Sequence, residues 1–285
     1  MIAKTLHDAH ATNGLSDAWP DLIVDFGFRA SDGFGEAFSA SAPISSHATI
    51  SNQVLYLQET GDSVAVSVND LHQGQIGDCF LISAIGEIAL NRPSAIASMI
   101  HTNANGTETV TLNTDRNGHV AGFGVTAFKS VSVTVDNVFP TYSVNNGASQ
   151  DVLNGRKEIW PQVLEKAVAT LDGGYGAIAN GGNPMIALQE LTGRAASYMS
   201  PAQLTQQVLQ GLIASSSLIV MDTGRVGNAA FNLVGSHAYM FEKLTMVGGS
   251  AMVQVGNPWG THQASMIPLA QLSKAFVEID VGHLA

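Results

Sequence analysis

The chain has 285 residues, 45% of them hydrophobic and only 12% charged, a composition that supports a substantial core and is unlike that of a disordered segment. Its net charge is −11 with 12 basic residues, which argues against nucleic acid, whose phosphates need a basic face, and against anionic membrane surfaces. No apolar run approaches the ~20 residues of a membrane-spanning helix.

Residues 1–65 are rich in Gly, Ser, Ala and Asp, with Phe26, Phe28, Phe34 and Phe38 scattered among them. They predict an irregular N-terminal extension, either a propeptide or an arm packed on the core. The first ten residues lack the apolar centre of a signal peptide. The apolar run after Cys79 predicts a buried helix over 79–92, closed by Asn91 and Pro93, with Gly77 and Asp78 supplying a turn and an N-terminal cap. Alternation over 107–137 predicts antiparallel strands. An amphipathic helix is predicted over 156–171, ending at Gly173-Gly174, with two more at 185–192 and 201–213. Strands follow at 218–221, 237–244 and 252–255, then a closing helix at 268–276. The expected fold is α+β, with an extension (1–65), a helical subdomain (66–215) and a β-rich subdomain (216–285). The acidic, apolar stretch 276–281 suits a chain exported without a cleaved N-terminal signal; the alternative is a cytoplasmic protein.

Cys79 is the only cysteine. It can form no internal disulfide and cannot build a thiolate metal cage alone, leaving a packed thiol or a nucleophile. Its place in the first turn of a helix favours the thiolate, because unpaired N–H groups and the helix dipole stabilise negative charge there. A cysteine nucleophile needs a base, and the base an orienting group. His237 opens a strand-like stretch and Asn257 ends the next one, so a strand pair sets them side by side. Asn257 is expected to accept the His237 Nδ1–H, leaving the other ring nitrogen for Cys79, in Cys-His-Asn triad logic. Gln73, six residues before the thiol, is expected to form an oxyanion hole with the Cys79 backbone N–H. Eight other histidines compete with His237. His72 is the most serious rival, but its place before the oxyanion loop predicts that it points away.

These residues resemble the calpain family of papain-like cysteine peptidases. Gln73-Gly74-Gln75-Ile76-Gly77-Asp78-Cys79 resembles the family's cysteine block, His237-Ala238-Tyr239 its histidine block, and Asn257-Pro258-Trp259-Gly260 its asparagine block. Residues 158–167 resemble a helix beneath the active site, and 131–140 the strand before it. The resemblance runs from about Asp70 to about Gln263. Ser236 departs from the usual glycine before the histidine, and Phe80 from the usual tryptophan after the cysteine. After Asn257 too little chain remains for the family's C-terminal calcium-binding helical domain, and no EF-hand loop is present.

The resemblance implies a calpain protease core with a helical half carrying Cys79, a β-rich half carrying His237 and Asn257, and the active site between them. It implies an endopeptidase acting on protein or peptide substrates with no organic cofactor. It also implies calcium within the core, with Asp70 and Glu158 as ligand candidates; a loop cap is the plainer role for Asp70. The alternatives are a non-catalytic binding module of the same fold and a transglutaminase-like acyltransferase, which Asn257 disfavours.

Overall fold

A computed structural model describes residues 47–58, 64–145, 152–260, 264 and 266–284; residues 1–46 of the expected extension lie outside these. The helices are α1 (Cys79–Asn91), α2 (Pro93–Met99), α3 (Trp160–Leu171), α4 (Tyr175–Ile178), α5 (Pro184–Thr192), α6 (Gln206–Ala214) and α7 (Leu272–Ala275). The strands are β1 (His47–Thr49), β2 (Gln53–Val54), β3 (Ile100–Thr102), β4 (Glu108–Asp115), β5 (Phe128–Val135), β6 (Val138–Pro140), β7 (Val152–Leu153), β8 (Arg156–Glu158), β9 (Ser197–Met199), β10 (Leu218–Asp222), β11 (Ala238–Val247), β12 (Ser250–Gly256), β13 (Ile267–Pro268) and β14 (Glu278–Gly282).

α1 is the centre of the molecule. Every residue from Cys79 to Ala89 is buried, as expected of a helix that is apolar all round. Glu87 is the exception in chemistry. It accepts a hydrogen bond from the Ile219 N–H at 2.9 Å, and burial holds its carboxyl well above the usual range. On one side α1 packs against α5. On the other it lies on an antiparallel six-stranded sheet of order β13-β12-β11-β10-β14-β9.

Side-chain alternation in that sheet builds two cores from one strand. Leu218 and Val220 of β10 join α1, α3 and α5 in the first core. Ile219 and Met221 face the opposite way and join Tyr239, Phe241, Val253, Val255 and Leu272 in the second. Helix and sheet approach closely at Gly86, where an added Cβ would lie 2.0 Å from the Met240 sulfur. A second antiparallel sheet, β3-β4-β5, packs against α3 and α5.

Three element boundaries differ from the sequence expectation. The helix predicted from 156 starts at Trp160, because residues 156–158 form β8, parallel to β2; Pro161 sits in the first turn, where its missing N–H costs nothing. The helix predicted over 201–213 is two pieces. Ser200 and Gln203 close a capping box around one tight turn, and Thr205 caps α6 afresh by accepting the Val208 N–H. The closing helix over 268–276 is likewise a tight turn (Leu269–Gln271) followed by α7. The stretch 276–281 supplies an interior strand, β14, between β10 and β9. At the other end, β1 pairs with β6, and β2 pairs with β8. Among the described residues no helix is long and apolar enough to cross a membrane.

Candidate active site

The segment before α1 is pinned from several sides. Ser67 and Asp70 form a capping box around the turn Val68–Asp70. The Asp70 carboxylate accepts the Ser67 N–H at 2.7 Å and the Trp160 indole N–H at 3.0 Å. Asn145, at a left-handed φ of 53°, clasps the next residues: its Oδ1 accepts the His72 N–H at 2.7 Å, its N–H donates to the His72 carbonyl at 2.9 Å, and its side-chain amide donates to the Asp70 carbonyl. Gly74 is pressed on the Tyr142 carbonyl, where a Cβ would come within 2.1 Å of the oxygen. The Gly77 N–H donates to Ala179 at 2.8 Å. The two glycines between Gln73 and Cys79 thus permit close backbone approach.

Gln73 faces the asparagine turn: its backbone N–H donates to the Pro258 carbonyl at 2.8 Å. Its side-chain amide, expected to be an oxyanion donor, donates to the Ile76 carbonyl at 2.8 Å and also lies against the Asp78 carboxyl, whose charged form it favours, so it is engaged within the protein. Asp78 departs from expectation. It makes no side-chain cap; its fully buried carboxyl instead lies beside that of Glu165 on α3, whose oxygens accept the Val144 N–H at 2.9 Å and the Tyr175 hydroxyl at 3.1 Å. Two adjacent buried acids cannot both ionise cheaply. Desolvation pushes Asp78 up to about 7 and Glu165 well above its usual range.

Cys79 is the first residue of α1 and is 6% exposed. Its sulfur meets the backbone N–H groups of Ala238 and Phe80, which favour the thiolate, but burial dominates. With the carboxylates of Asp222 and Asp78 nearby, burial pushes the thiol up to about 12. The lowering expected at a helix N-terminus is therefore overridden by desolvation and neighbouring acids.

His237 enters β11 held by Thr223, which accepts the His237 N–H at 3.0 Å and returns its own N–H to the His237 carbonyl at 2.9 Å. Ser236 takes a left-handed φ of 48°, the conformation that the usual glycine adopts freely. The structure reverses the expected ring assignment: Nε2, not Nδ1, meets Asn257 Oδ1, at 2.9 Å. Strand register explains this. Met240 pairs with Gly256, so Asn257 lies diagonally from His237, and the far edge of the ring makes the reach. Because the amide oxygen only accepts, Nε2 carries the proton and Nδ1 is left as the base. Trp259 lies over the ring at 4.6 Å between centroids and donates its backbone N–H to Asn257 Oδ1 at 3.0 Å. Desolvation lowers His237 to about 4, against its hydrogen bond to Asn257, which raises it.

A cluster not singled out from sequence stands beside the thiol. Asp222, Glu278 and Asp280 each place a carboxylate oxygen within 4.8 Å of the others. Register pairs Asp222 with Ala238 and with Glu278, so all three project from the sheet face that carries α1. Burial raises Asp222 to about 7 and Asp280 well above its usual range. The only signal in the sequence was an acid ending an apolar run, Leu218 to Met221, and two acids alternating with apolar residues in 278–281.

Asp70 and Glu158 do not have the surroundings of hard-cation ligands. Asp70 carries N–H donors from Ser67 and Trp160, and Glu158, fully buried, accepts the Leu57 N–H at 2.6 Å. A calcium ion wants six or more oxygens, whereas these carboxylates are met by nitrogen donors. As they stand, they do not fit the ion.

The profile of the calpain family cysteine proteases matches residues 55–266. The chain belongs to the calpain family. It is similar to calpain-5 of Mus musculus, 30% identical over 231 residues, 70% of this chain and 35% of that protein. It is similar to the calpain-type cysteine protease DEK1 of Zea mays, 29% identical over 213 residues, 70% of this chain and 9% of that protein. Calpain-9 of Homo sapiens is 25% identical over 210 residues, 67% of this chain and 28% of that protein. The chain thus spans about a third or less of these relatives' length. The calpain match covers Gln73, Cys79, His237 and Asn257 together.

Proposed function

We propose that the protein is a calpain-type cysteine endopeptidase with a papain-like core and a Cys79-His237-Asn257 triad. The observation that carries this reading is the 2.9 Å hydrogen bond from His237 Nε2 to Asn257 Oδ1, which leaves Nδ1 as a base, with the next residue, Ala238, against the Cys79 sulfur. Nδ1 takes the thiol proton as sulfur attacks the scissile carbonyl. The Cys79 N–H and the Gln73 amide, once turned from its partners in the protein, receive the oxyanion, each such donor contributing about 3 kcal/mol in acyl transfer. His237 then protonates the leaving amine, and water hydrolyses the thioester.

As described, thiol and imidazole are both buried and neutral. Conversion to the ion pair requires bringing the two groups together or admitting solvent, since desolvation is the main cause of both shifts. Because neither Asp70 nor Glu158 fits calcium here, the steps above use the chain's own residues only. Calcium remains a trigger to be tested.

Cys79→Ala is expected to abolish cleavage of casein or a fluorogenic peptide; cleavage that persists defeats the assignment. The second reading, a non-catalytic module, is favoured by one observation, the burial of the thiol beside two acids, which pushes it up to about 12. Intact-mass measurement of iodoacetamide alkylation against pH, with calcium and with chelator, separates the two. Rapid alkylation well below pH 8.5 in either condition supports the peptidase. Slow alkylation in both, with no turnover, supports the module.

A further inference from the structure

His72 is not used by the mechanism above, yet it lies against the candidate site. An added Cβ on Gly260 would come 2.4 Å from its Cδ2 and 2.8 Å from its Nε2. The ring therefore fills the space that a side chain at 260 would take. Gly260 itself has a φ of 68°, so the close approach and the turn both depend on glycine. The next residue along, Gln73, donates its backbone N–H to Pro258 in the same turn. Behind the ring, the His72 backbone is fixed in both directions by Asn145, and the Asn145 carbonyl accepts the Gln162 side-chain amide at 3.1 Å. Among the described residues, the buried Nδ1 of His72 has no hydrogen-bond partner. The ring is thus mounted on a rigid support and pushed against a four-residue turn. That turn carries the two groups touching His237: Asn257 through its amide and Trp259 through its ring.

We propose that His72 is a positioning residue, a wedge that fixes the register of the Asn257–Gly260 turn and through it the orientation of His237. The inference rests on the peptidase reading of Cys79, His237 and Asn257. The wedge acts through shape: the ring occupies the space beside Gly260 and holds the turn where Asn257 reaches His237.

The test uses the full chain, wild type, His72→Ala and His72→Phe, with a fluorogenic peptide at a single pH, and the Trp259 indole N–H resonance is recorded for each. His72→Ala is expected to lower kcat about tenfold with KM changed less than about threefold, the pattern of a misplaced catalytic group. His72→Phe, which refills the space, is expected to recover most of kcat. The Trp259 resonance should move in His72→Ala and return toward its wild-type position in His72→Phe. Wild-type kcat in His72→Ala, or a Trp259 resonance unmoved in that variant, overturns the proposal. If wild type cleaves nothing while Trp259 still moves in His72→Ala, the peptidase reading fails and the wedge stands.

Discussion

Cys79 and His237 stand in surroundings that differ in kind. The thiol stands at the start of a fully buried helix with acids on two sides: Asp78 with Glu165, and Asp222 with Asp280. The histidine stands at a strand end among neutral partners: Asn257, Trp259, Tyr239 and Thr223. The histidine side is oriented in advance by hydrogen bonds and ring contacts. The thiol side is rigid too, but its electrostatics oppose the charge that catalysis needs. On the peptidase reading, holding the nucleophile in place and activating it are separable: the surroundings of Cys79 do the first, and burial opposes the second.

The sharpest way to break the histidine side is His237→Ala, expected to lower kcat by roughly 10³–10⁴-fold, the scale on which triad members matter. Asn257→Ala should cost less, because the ring keeps Trp259 and loses only its orienting bond; equal losses in the two variants, measured by kcat, would mean the asparagine does more than orient. Gly86→Ala tests the packing that joins the two sides. Overfilling a close-packed site costs about 1–3 kcal/mol, read as a lower urea midpoint, and Met240→Ala in the same chain should recover part of it.

A pH series compares the two sides directly. Asp78 and Asp222 have folded values near 7, above the unfolded value of 3.8. Their contribution to stability is therefore full below about pH 4 and lost as pH rises through about 7. His237, at about 4 against 6.5, acts oppositely, losing stability as pH falls from 6.5 to 4. With Glu165 and Asp280 raised as well, the acids outnumber the histidine, and the melting temperature should be higher at pH 5.5 than at pH 8. A melting temperature that rises with pH across this range would contradict the protonated-acid picture. The smallest effect is expected from Asp222→Asn, which removes one repulsive charge from the thiol. Iodoacetamide should alkylate Cys79 a few-fold faster at pH 7.5, since a nearby carboxylate disfavours the thiolate; an unchanged rate would leave burial and Asp78 as the causes.

Much of the scaffold was legible because its signals are local. The unbroken apolar run after Cys79 marks α1, and the alternation over 107–137 marks β4 and β5. The ordered motif blocks drew attention to His237 and Asn257, which the strand register then brought within hydrogen-bond distance. What escaped depends on partners distant in sequence. Asp78 looks like a helix cap until Glu165, 87 residues later, lies beside it. The choice of ring nitrogen depends on a diagonal between β11 and β12 that no spacing reveals. His72 was expected to point away, and only the backbone of Gly260 shows where its ring goes. The acids of β14 escaped notice because they lie inside the fold on the sheet face that α5 covers, a place where charged residues are not expected.

The seat of Met240 on Gly86 has a consequence for handling the protein. The thioether lies directly on the helix backbone, and the residue is 4% exposed, so there is no room for an added oxygen. Oxidation to the sulfoxide converts a flexible apolar group into a polar, chiral one at the contact that joins α1 to β11. The folded protein therefore shields this sulfur, but oxidation of an opened chain would bar the helix from its seat on refolding, a lesion that blocking Cys79 does not prevent and thiol reductants do not reverse.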